Sequence, residues 1–282
     1  YFMVKISIVT ISFNQTKYLE TCIRSITGQN KNLFEYIVVD PGSTDGSRAI
    51  ISSHATEIDH IILEKDNGPA DGLNKGFDAA SGEYLMFINA DDFLLPMALD
   101  KIAKLLDTYN QPALLLCGGW LVDQNNAPLR RLFSTRFSAQ GLVNHRAAMF
   151  QQGMVIRRDL FERIGGFNKD NYTCWDFELL VDCIIARAKP KIDLTRVAAF
   201  RIHDESISGG HFGTGMEDRL AADLIRIHDK LKPDEKHQSI HNLNLLARVE
   251  KYIRTPEIIP FIIHDKLLKH RIKKAWEKDI SR

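Results

Sequence analysis

Two hydrophobic periods alternate along the first half of the chain. Lys5-Ile6-Ser7-Ile8-Val9-Thr10-Ile11 is a β-branched run that reads as a strand. After the turn Ser12-Phe13-Asn14-Gln15, apolar positions recur at helical spacing in Tyr18, Leu19, Cys22, Ile23 and Ile26. The alternation then repeats. A strand over 35–40 is followed by the turn Gly42-Ser43-Thr44-Asp45-Gly46 and a helix, a strand over 58–63 by a short helix over 73–80, and a strand over 84–88 is entered through Gly82. Pro96 opens the helical pattern Leu95, Leu99, Ile102, Leu106. Such alternation predicts an α/β fold with right-handed crossovers and a mostly parallel sheet flanked by helices. From residue 114 the pattern changes to a strand over 114–117, a loop-rich polar stretch over 123–152, strands over 154–157 and 197–202 flanking a helix over 175–188, and a mostly helical tail beyond Gly215.

Composition narrows the function classes. At 282 residues the chain is long enough for one good core with an appendage, and 44% hydrophobic with 26% charged residues is ordinary for a globular protein. Lys+Arg 37 against Asp+Glu 36 gives a net charge of +1, so nothing global points to nucleic acid as a partner. Cys22, Cys117, Cys174 and Cys183 form no CxxC pair; core thiols in a reducing compartment are expected, not a disulfide frame or zinc site. No apolar run approaches the ~20 residues that span a bilayer, and no signal-peptide pattern opens the chain, so a cytoplasmic location is expected.

Polar groups stand where the predicted strands end. Asn89-Ala90-Asp91-Asp92 directly follows the apolar run Tyr84-Leu85-Met86-Phe87-Ile88. Adjacent carboxylates there repel and shift upward in pKa unless a cation meets them, and a hard divalent metal carrying a diphosphate is one natural partner. The alternative is that Asp91 or Asp92 caps the following helix. Asp40 could accept a hydrogen bond from the imide N–H of a base or serve as a turn residue before Pro41-Gly42. Lys75 could neutralise a diphosphate or lie solvated on its helix. Neither GxGxxG nor GxxxxGK[ST] is present, which argues against a dehydrogenase or P-loop enzyme. In α/β sheets ligands bind at the carboxyl ends of the strands, so one cleft could hold Asp40 and the Asp91-Asp92 pair.

The order of these pieces resembles the inverting glycosyltransferases of family two, which have the GT-A fold and include many bacterial polysaccharide and lipopolysaccharide enzymes. The resemblance is carried by Ile8-Val9-Thr10-Ile11-Ser12-Phe13-Asn14, Val38-Val39-Asp40-Pro41-Gly42-Ser43-Thr44-Asp45-Gly46-Ser47, Asn74-Lys75-Gly76, Asn89-Ala90-Asp91-Asp92, Phe161-Glu162-Arg163-Ile164-Gly165-Gly166-Phe167, Trp175-Asp176-Phe177-Glu178-Leu179 and Phe200-Arg201-Ile202-His203 with Ser206 and Ser208. It implies transfer of a sugar from a nucleoside diphosphate donor, most readily UDP, to a hydroxyl of a glycan or lipid-linked acceptor. It further implies a donor-binding set of Thr10, Asn14, Asp40, Lys75 and Asp91, with Asp92 the principal ligand of Mn2+ or Mg2+ in the DxD motif. His203 would complete the metal shell, Gly165-Gly166 shape the acceptor side, and Asp176 act as general base. The implied division is a nucleotide-sugar-binding half over 1–115, an acceptor and catalytic half over 116–212, and a helical extension over 213–282.

The pattern departs from the family at Asn89, where many members carry the first Asp, and weaker metal binding is expected. It departs also at Pro41, in the loop 69–72, which lacks a frequent tyrosine, and at Trp175, where an acidic residue is common. Asp176 can alternatively be read as a carboxylate favoured by the helix dipole, Glu178 as its neighbouring competitor for the base role, and His203 as a hydrogen-bonded strand-end histidine. The other functional readings are a sugar nucleotidyltransferase and a sugar-nucleotide-binding scaffold on a decayed transferase fold; the first would carry a glycine- and arginine-rich loop where Ser12-Phe13-Asn14-Gln15 stands.

Over 264–282, Lys266, Lys269, Arg271, Lys273, Lys274, Lys278 and Arg282 outnumber Asp265, Glu277 and Asp279, and Leu268, Ile272 and Trp276 recur on one helical face. Such a helix either lies on an anionic membrane surface or packs on the domain or on a partner subunit of a homo-oligomer with its basic face solvated.

Overall fold

The computed structural model describes residues 5–136, 148–204, 216–231 and 269–281; Arg146, Ser206, Ser208, Lys266 and Leu268 lie outside them. The predicted alternation is present as β1 (Ile6–Ile11), α1 (Thr16–Thr27), β2 (Phe34–Val39), α2 (Ser47–Ser53), β3 (His60–Ile62), α3 (Pro69–Ala79), β4 (Tyr84–Phe87), a short β5 (Phe93–Leu94) and α4 (Ala98–Thr108). Helix α3 starts earlier than its apolar pattern, because Pro69 fits the first turn and Asp71 favours the dipole there. The second half holds β6 (Leu114–Val122), β7 (Pro128–Leu132), β8 (Met154–Arg157), α5 (Arg158–Arg163), α6 (Trp175–Ile185), β9 (Lys191–Arg201), α7 (Met216–Leu231) and α8 (Lys269–Ile280).

One sheet runs β3-β2-β1-β4-β8-β6-β9-β5, with β7 paired to β6. The expected parallel arrangement is β3-β2-β1-β4. Beyond β4 the sheet is mixed: β8 is antiparallel to β4 and β6, β9 is parallel to β6, and β5 and β7 add antiparallel edges. A division at residue 115 therefore cuts through a continuous sheet. The Pro-Leu-Arg-Arg-Leu segment of β7 falls inside the stretch expected to be loop; its residues are exposed or half-buried, so it carries no apolar alternation to read.

Strand alternation sends side chains to two layers. Ile6 and Ile8 of β1, with Tyr36 and Val38 of β2, pack under α1, α2 and α4; Val9, Ile37 and Val39 pack under α3, and the same layer continues over α5 and α6. Helix α3 lies so close to β1 that a Cβ on Gly76 would fall 2.5 Å from Val9 Cγ1, which requires glycine there.

A third cluster joins Phe93, Trp120 and Val122 to Ile272 and Trp276 of α8. The Trp276 ring meets Trp120 and Phe93 edge-on at centroid distances of 5.6 and 6.2 Å, and Asp279 accepts from Trp120 Nε1 at 2.8 Å while pairing with Arg196. The apolar face of Ile272 and Trp276 is thus buried on the sheet, as in the alternative in which this helix packs on the domain. Lys273, Lys274 and Lys278 point to solvent. No helix among the described residues is long and apolar enough to cross a membrane.

The chain leaves β1 toward β2 and β3 on one side and returns through α3 to β4 on the other. The strand order therefore reverses between β1 and β4, and the crevice at their carboxyl ends is where a ligand fits such a sheet.

Candidate active site

Three buried side-chain oxygens at the carboxyl ends of β1, β2 and β4 have no hydrogen-bond partner among the described residues: Ser12 Oγ, Asp40 Oδ2 and Asn89 Oδ1. Leaving such atoms unpaired costs roughly 1–3 kcal/mol each, which a folded protein sustains where a ligand will supply the partner. The ends of β2 and β4 flank that of β1, two inter-strand spacings or about 10 Å apart.

Asp40 is fixed for one task. Its Oδ1 accepts from the amides of Gly42 and Ser43 at 3.0 and 2.8 Å and from Arg48 Nε at 3.0 Å, which leaves Oδ2 as an oriented acceptor. Burial pushes this carboxyl up, but the donors from Ser43, Arg48 and Gly42 outweigh it and hold the pKa below the usual range. Asn14, with φ of 53°, stitches the neighbouring loops together: its amide donates to Ser43 Oγ at 2.8 Å and its Oδ1 accepts from Thr44 N at 2.9 Å. Phe13 between them is 60% exposed at the mouth.

Thr10 does not reach this mouth with its side chain. It shares strand parity with Ile6 and Ile8, so its hydroxyl lies under α1, accepting from Tyr36 Oη at 3.1 Å and touching Cys22 Sγ at 3.7 Å. Ser12, two residues on, holds the unpartnered hydroxyl at this strand end; its signal was a polar residue directly after an apolar run. Lys75 is tied back to the Lys65 carbonyl and to Asp71, at 3.9 Å from the latter, and so faces the β3–α3 loop.

The Asn89-Ala90-Asp91-Asp92 corner separates its two carboxylates. Asp92 is 0% exposed, with Oδ1 accepting from Arg201 N at 2.8 Å and Oδ2 from Gln152 Nε2 at 2.7 Å. Burial, reinforced by the Asp91 charge, pushes its pKa well above the carboxylate range. A residue so enclosed is an anchor of the corner; the structure does not bring Asp92 to the cleft as the principal ligand expected from the motif. Asp91 holds the outward position: its side chain is 15% exposed and Oδ2 lies 3.1 Å from His203 Nε2. Arg201 locks this geometry. Its guanidinium donates to the Asp91 carbonyl and to Asn126 Oδ1 and lies 4.4 Å from the Tyr18 ring centroid and 5.2 Å from that of Phe93. The Asp91 carboxylate oxygen and the His203 imidazole nitrogen, 3.1 Å apart, are the donor types that a divalent ion such as Mn2+ accepts. Among the described residues no group of three or more His, Cys, Asp or Glu gathers for a metal.

Asp176 opens α6 half-buried, with Oδ1 accepting from Phe177 N at 2.8 Å; burial raises its pKa, the direction a general base near neutral pH needs. Trp175 beside it has a buried indole N–H without a partner. Glu178, the competitor, is removed from that role because its carboxylate takes donors from Asn168, Asn171, Arg226 and Lys230. Burial opposes ionisation there, yet these partners hold its pKa at about 2. The segment before Asp176 is bound to α3: Asn74 exchanges two hydrogen bonds with the Phe167 backbone at 2.8 and 2.9 Å, and Lys169 pairs with Asp71 at 3.0 Å. Gly165 and Gly166, with φ of 82° and 75°, make the left-handed turn that brings it there.

The profile of glycosyl transferase family 2 matches residues 7–165, more than half of the chain. An uncharacterized glycosyltransferase of Nostoc sp. is 26% identical over 215 residues, which span 71% of this chain and 65% of that protein. Among solved structures, S. aureus TarS in complex with UDP shares a TM-score of 0.62 at 15% identity, over 94% of this chain and 73% of that one. The mannosyltransferase PcManGT from Pyrobaculum calidifontis, in complex with GDP-Man and Mn2+, gives 0.60 at 17% identity, over 94% and 74%. These two share the fold, the GT-A arrangement of a mixed curled sheet between helices. By the match of its sequence over more than half of its length, the chain belongs to glycosyl transferase family 2.

Proposed function

We propose that the protein transfers a sugar from a nucleoside diphosphate donor to a hydroxyl of a glycan or lipid-linked acceptor in polysaccharide biosynthesis, inverting the anomeric centre in one displacement assisted by Mn2+ or Mg2+. The observation that carries this reading is the row of unpartnered oxygens of Ser12, Asp40 and Asn89 at adjacent strand ends, beside the outward Asp91–His203 pair.

Asp40 Oδ2 is a pure acceptor and matches the imide N–H of uracil, with Arg48 fixing the carboxylate, which supports UDP as the nucleotide. The exposed Phe13 ring offers a face for the base, and Asn14 keeps both loops in register. Asp91 and His203 would hold the divalent ion, whose charge stabilises the departing diphosphate when bound. Asp92 and Arg201 keep the Asp91 backbone in place, and Lys75 lies on the donor side in a supporting position.

With Asp176 Oδ1 engaged by Phe177 N, Oδ2 takes the proton of the acceptor hydroxyl. The acceptor oxygen bonds to the anomeric carbon as the bond to the diphosphate oxygen breaks, so the nucleoside diphosphate leaves and configuration inverts. General-base assistance of this kind is worth about 10²- to 10⁴-fold.

A thermal-shift panel of UDP-, GDP- and dTDP-sugars, each with and without Mn2+, tests the nucleotide. The expected result is the largest Mn2+-dependent shift with UDP-sugars, lost in Asp40→Ala. Equal shifts for all three nucleotides, unchanged in that variant, would overturn the assignment.

A further inference from the structure

We propose that α7 is the outer clamp of the base-bearing segment, with Asp223 and Arg226 as positioning residues that hold residues 168–178 at the donor site; this rests on reading Asp176 as the base.

Three groups on one face of α7 grip that segment. Asp223 Oδ2 accepts from Thr173 Oγ1 at 2.6 Å and from Tyr172 N at 3.3 Å. Arg226 Nη2 bridges Asp223 Oδ1 at 2.9 Å and Glu178 Oε2 at 2.8 Å. Lys230 Nζ reaches Glu178 Oε1 at 2.6 Å and Asp182 Oδ1 at 2.9 Å. Glu178 is the hub, because the same two oxygens also accept from Asn168 Nδ2 at 2.9 Å and Asn171 Nδ2 at 2.7 Å, while Asn171 Oδ1 takes the Thr173 and Cys174 amides at 3.1 and 2.9 Å.

The placement of these bonds argues for positioning over bulk stability. A buried ion pair contributes little net stability compared with well-packed apolar residues of the same volume, so its use needs another reason. Here, Asp182 apart, the donors and acceptors fall on residues 168 to 178, the stretch that carries Asp176. The opposite side of the same stretch is bound to the donor half by Asn74, by the Lys169–Asp71 pair and by Tyr172, whose ring lies so close to Gly68 that a Cβ there would fall 2.9 Å from Cε1. Arg219 of α7 stacks at 5.4 Å from the centroid of that Tyr172 ring. The segment is thus held between α3 and α7, and its position relative to the donor is set from both sides.

The consequence is a rate effect separable from donor binding. The nucleotide groups lie on β1, β2 and β4, outside the clamp, whereas a base displaced by about 1 Å can lose ~10²-fold in rate. The test uses the full chain with Mn2+ and measures release of nucleoside diphosphate from the sugar nucleotide that stabilises it most. It also measures UDP affinity by calorimetry and amide exchange by region. For Arg226→Met and Asp223→Asn we expect kcat to fall roughly 10- to 100-fold with donor KM and UDP Kd within about twofold, and faster exchange confined to residues 166–178. Arg226→Lys, which retains the charge, should recover a large part of the rate. An unchanged kcat, or a loss of UDP affinity with faster exchange throughout β1–β4, would overturn the proposal. Asp176→Asn run alongside separates the two readings: if it keeps the full rate while the clamp variants lose theirs, the base assignment fails and the clamp stands.

Discussion

The Asp91 side chain is 15% exposed and faces His203, whereas Asp92, one peptide later, is fully enclosed with both oxygens bonded to Gln152 and Arg201. Substituting each should separate their roles. Asp92→Ala leaves Gln152 Nε2 and Arg201 N unpaired and is expected to lower stability by about 2–4 kcal/mol in denaturant unfolding. Asp91→Ala should stay within about 1 kcal/mol of the parent yet lose the Mn2+-dependent stabilisation by UDP. Glu178 predicts a pH effect with a definite sign. Its pKa is near 2 in the folded chain against 4.5 for the free group, so its contribution is complete above about pH 5 and disappears as pH falls through 4.5 toward 2. Glu178→Gln should flatten that part of the acid-unfolding curve; an unchanged curve would place the effect elsewhere. At this scale the sequence is readable where chemistry is local. Asp40 and Asp91 announce themselves as polar residues at the ends of apolar patterns, whereas Asp176 is singled out only by the family resemblance. The parity of Ile6, Ile8 and Thr10 already points Thr10 inward. The hub role of Glu178 is not readable, because Arg226 and Lys230 lie far along the chain and only the folded contact of α6 with α7 brings them together.

At the scale of elements, α8 shows what periodicity can and cannot tell. The spacing of Ile272 and Trp276 marks an apolar face but does not say what covers it. The cover is Phe93 and Trp120, large side chains on β5 and β6, with Asp279 binding Trp120 and Arg196 at the rim. Trp276→Ala is accordingly expected to cost about 3–5 kcal/mol. In the parent chain, tryptophan emission should be unchanged by anionic vesicles, since the Trp276 ring is already buried; a blue shift on adding vesicles, absent in Trp276→Phe, would contradict the docked arrangement. Strand β7 was invisible to the pattern for the opposite reason. Its side chains are exposed or half-buried, and only its pairing with β6 makes it a strand.

For the molecule as a whole, the order β3-β2-β1-β4 creates a crevice at whose rim Ser12, Asp40 and Asn89 stand, and the antiparallel β8 continues the same sheet into the half that carries Asp176. The N-terminal crossovers were legible because each strand and helix is contiguous in sequence. The mixed pairing of β6, β8 and β9 was not, since it depends on which distant strands meet. The two described helices of the C-terminal extension both reach back toward the site, α7 to the base segment and α8 to Phe93 beside Asp92. We propose a division of labour in which Asp91 holds a metal-bound donor and Asp176 activates the acceptor. It is tested most directly by Mn2+-dependent release of nucleoside diphosphate, with donor affinity measured on the same samples. Asp176→Asn should bind the donor as the parent does and lose release by about 10²-fold or more, while Asp91→Ala should lose both the Mn2+ response and release. Full release by either variant would contradict the account.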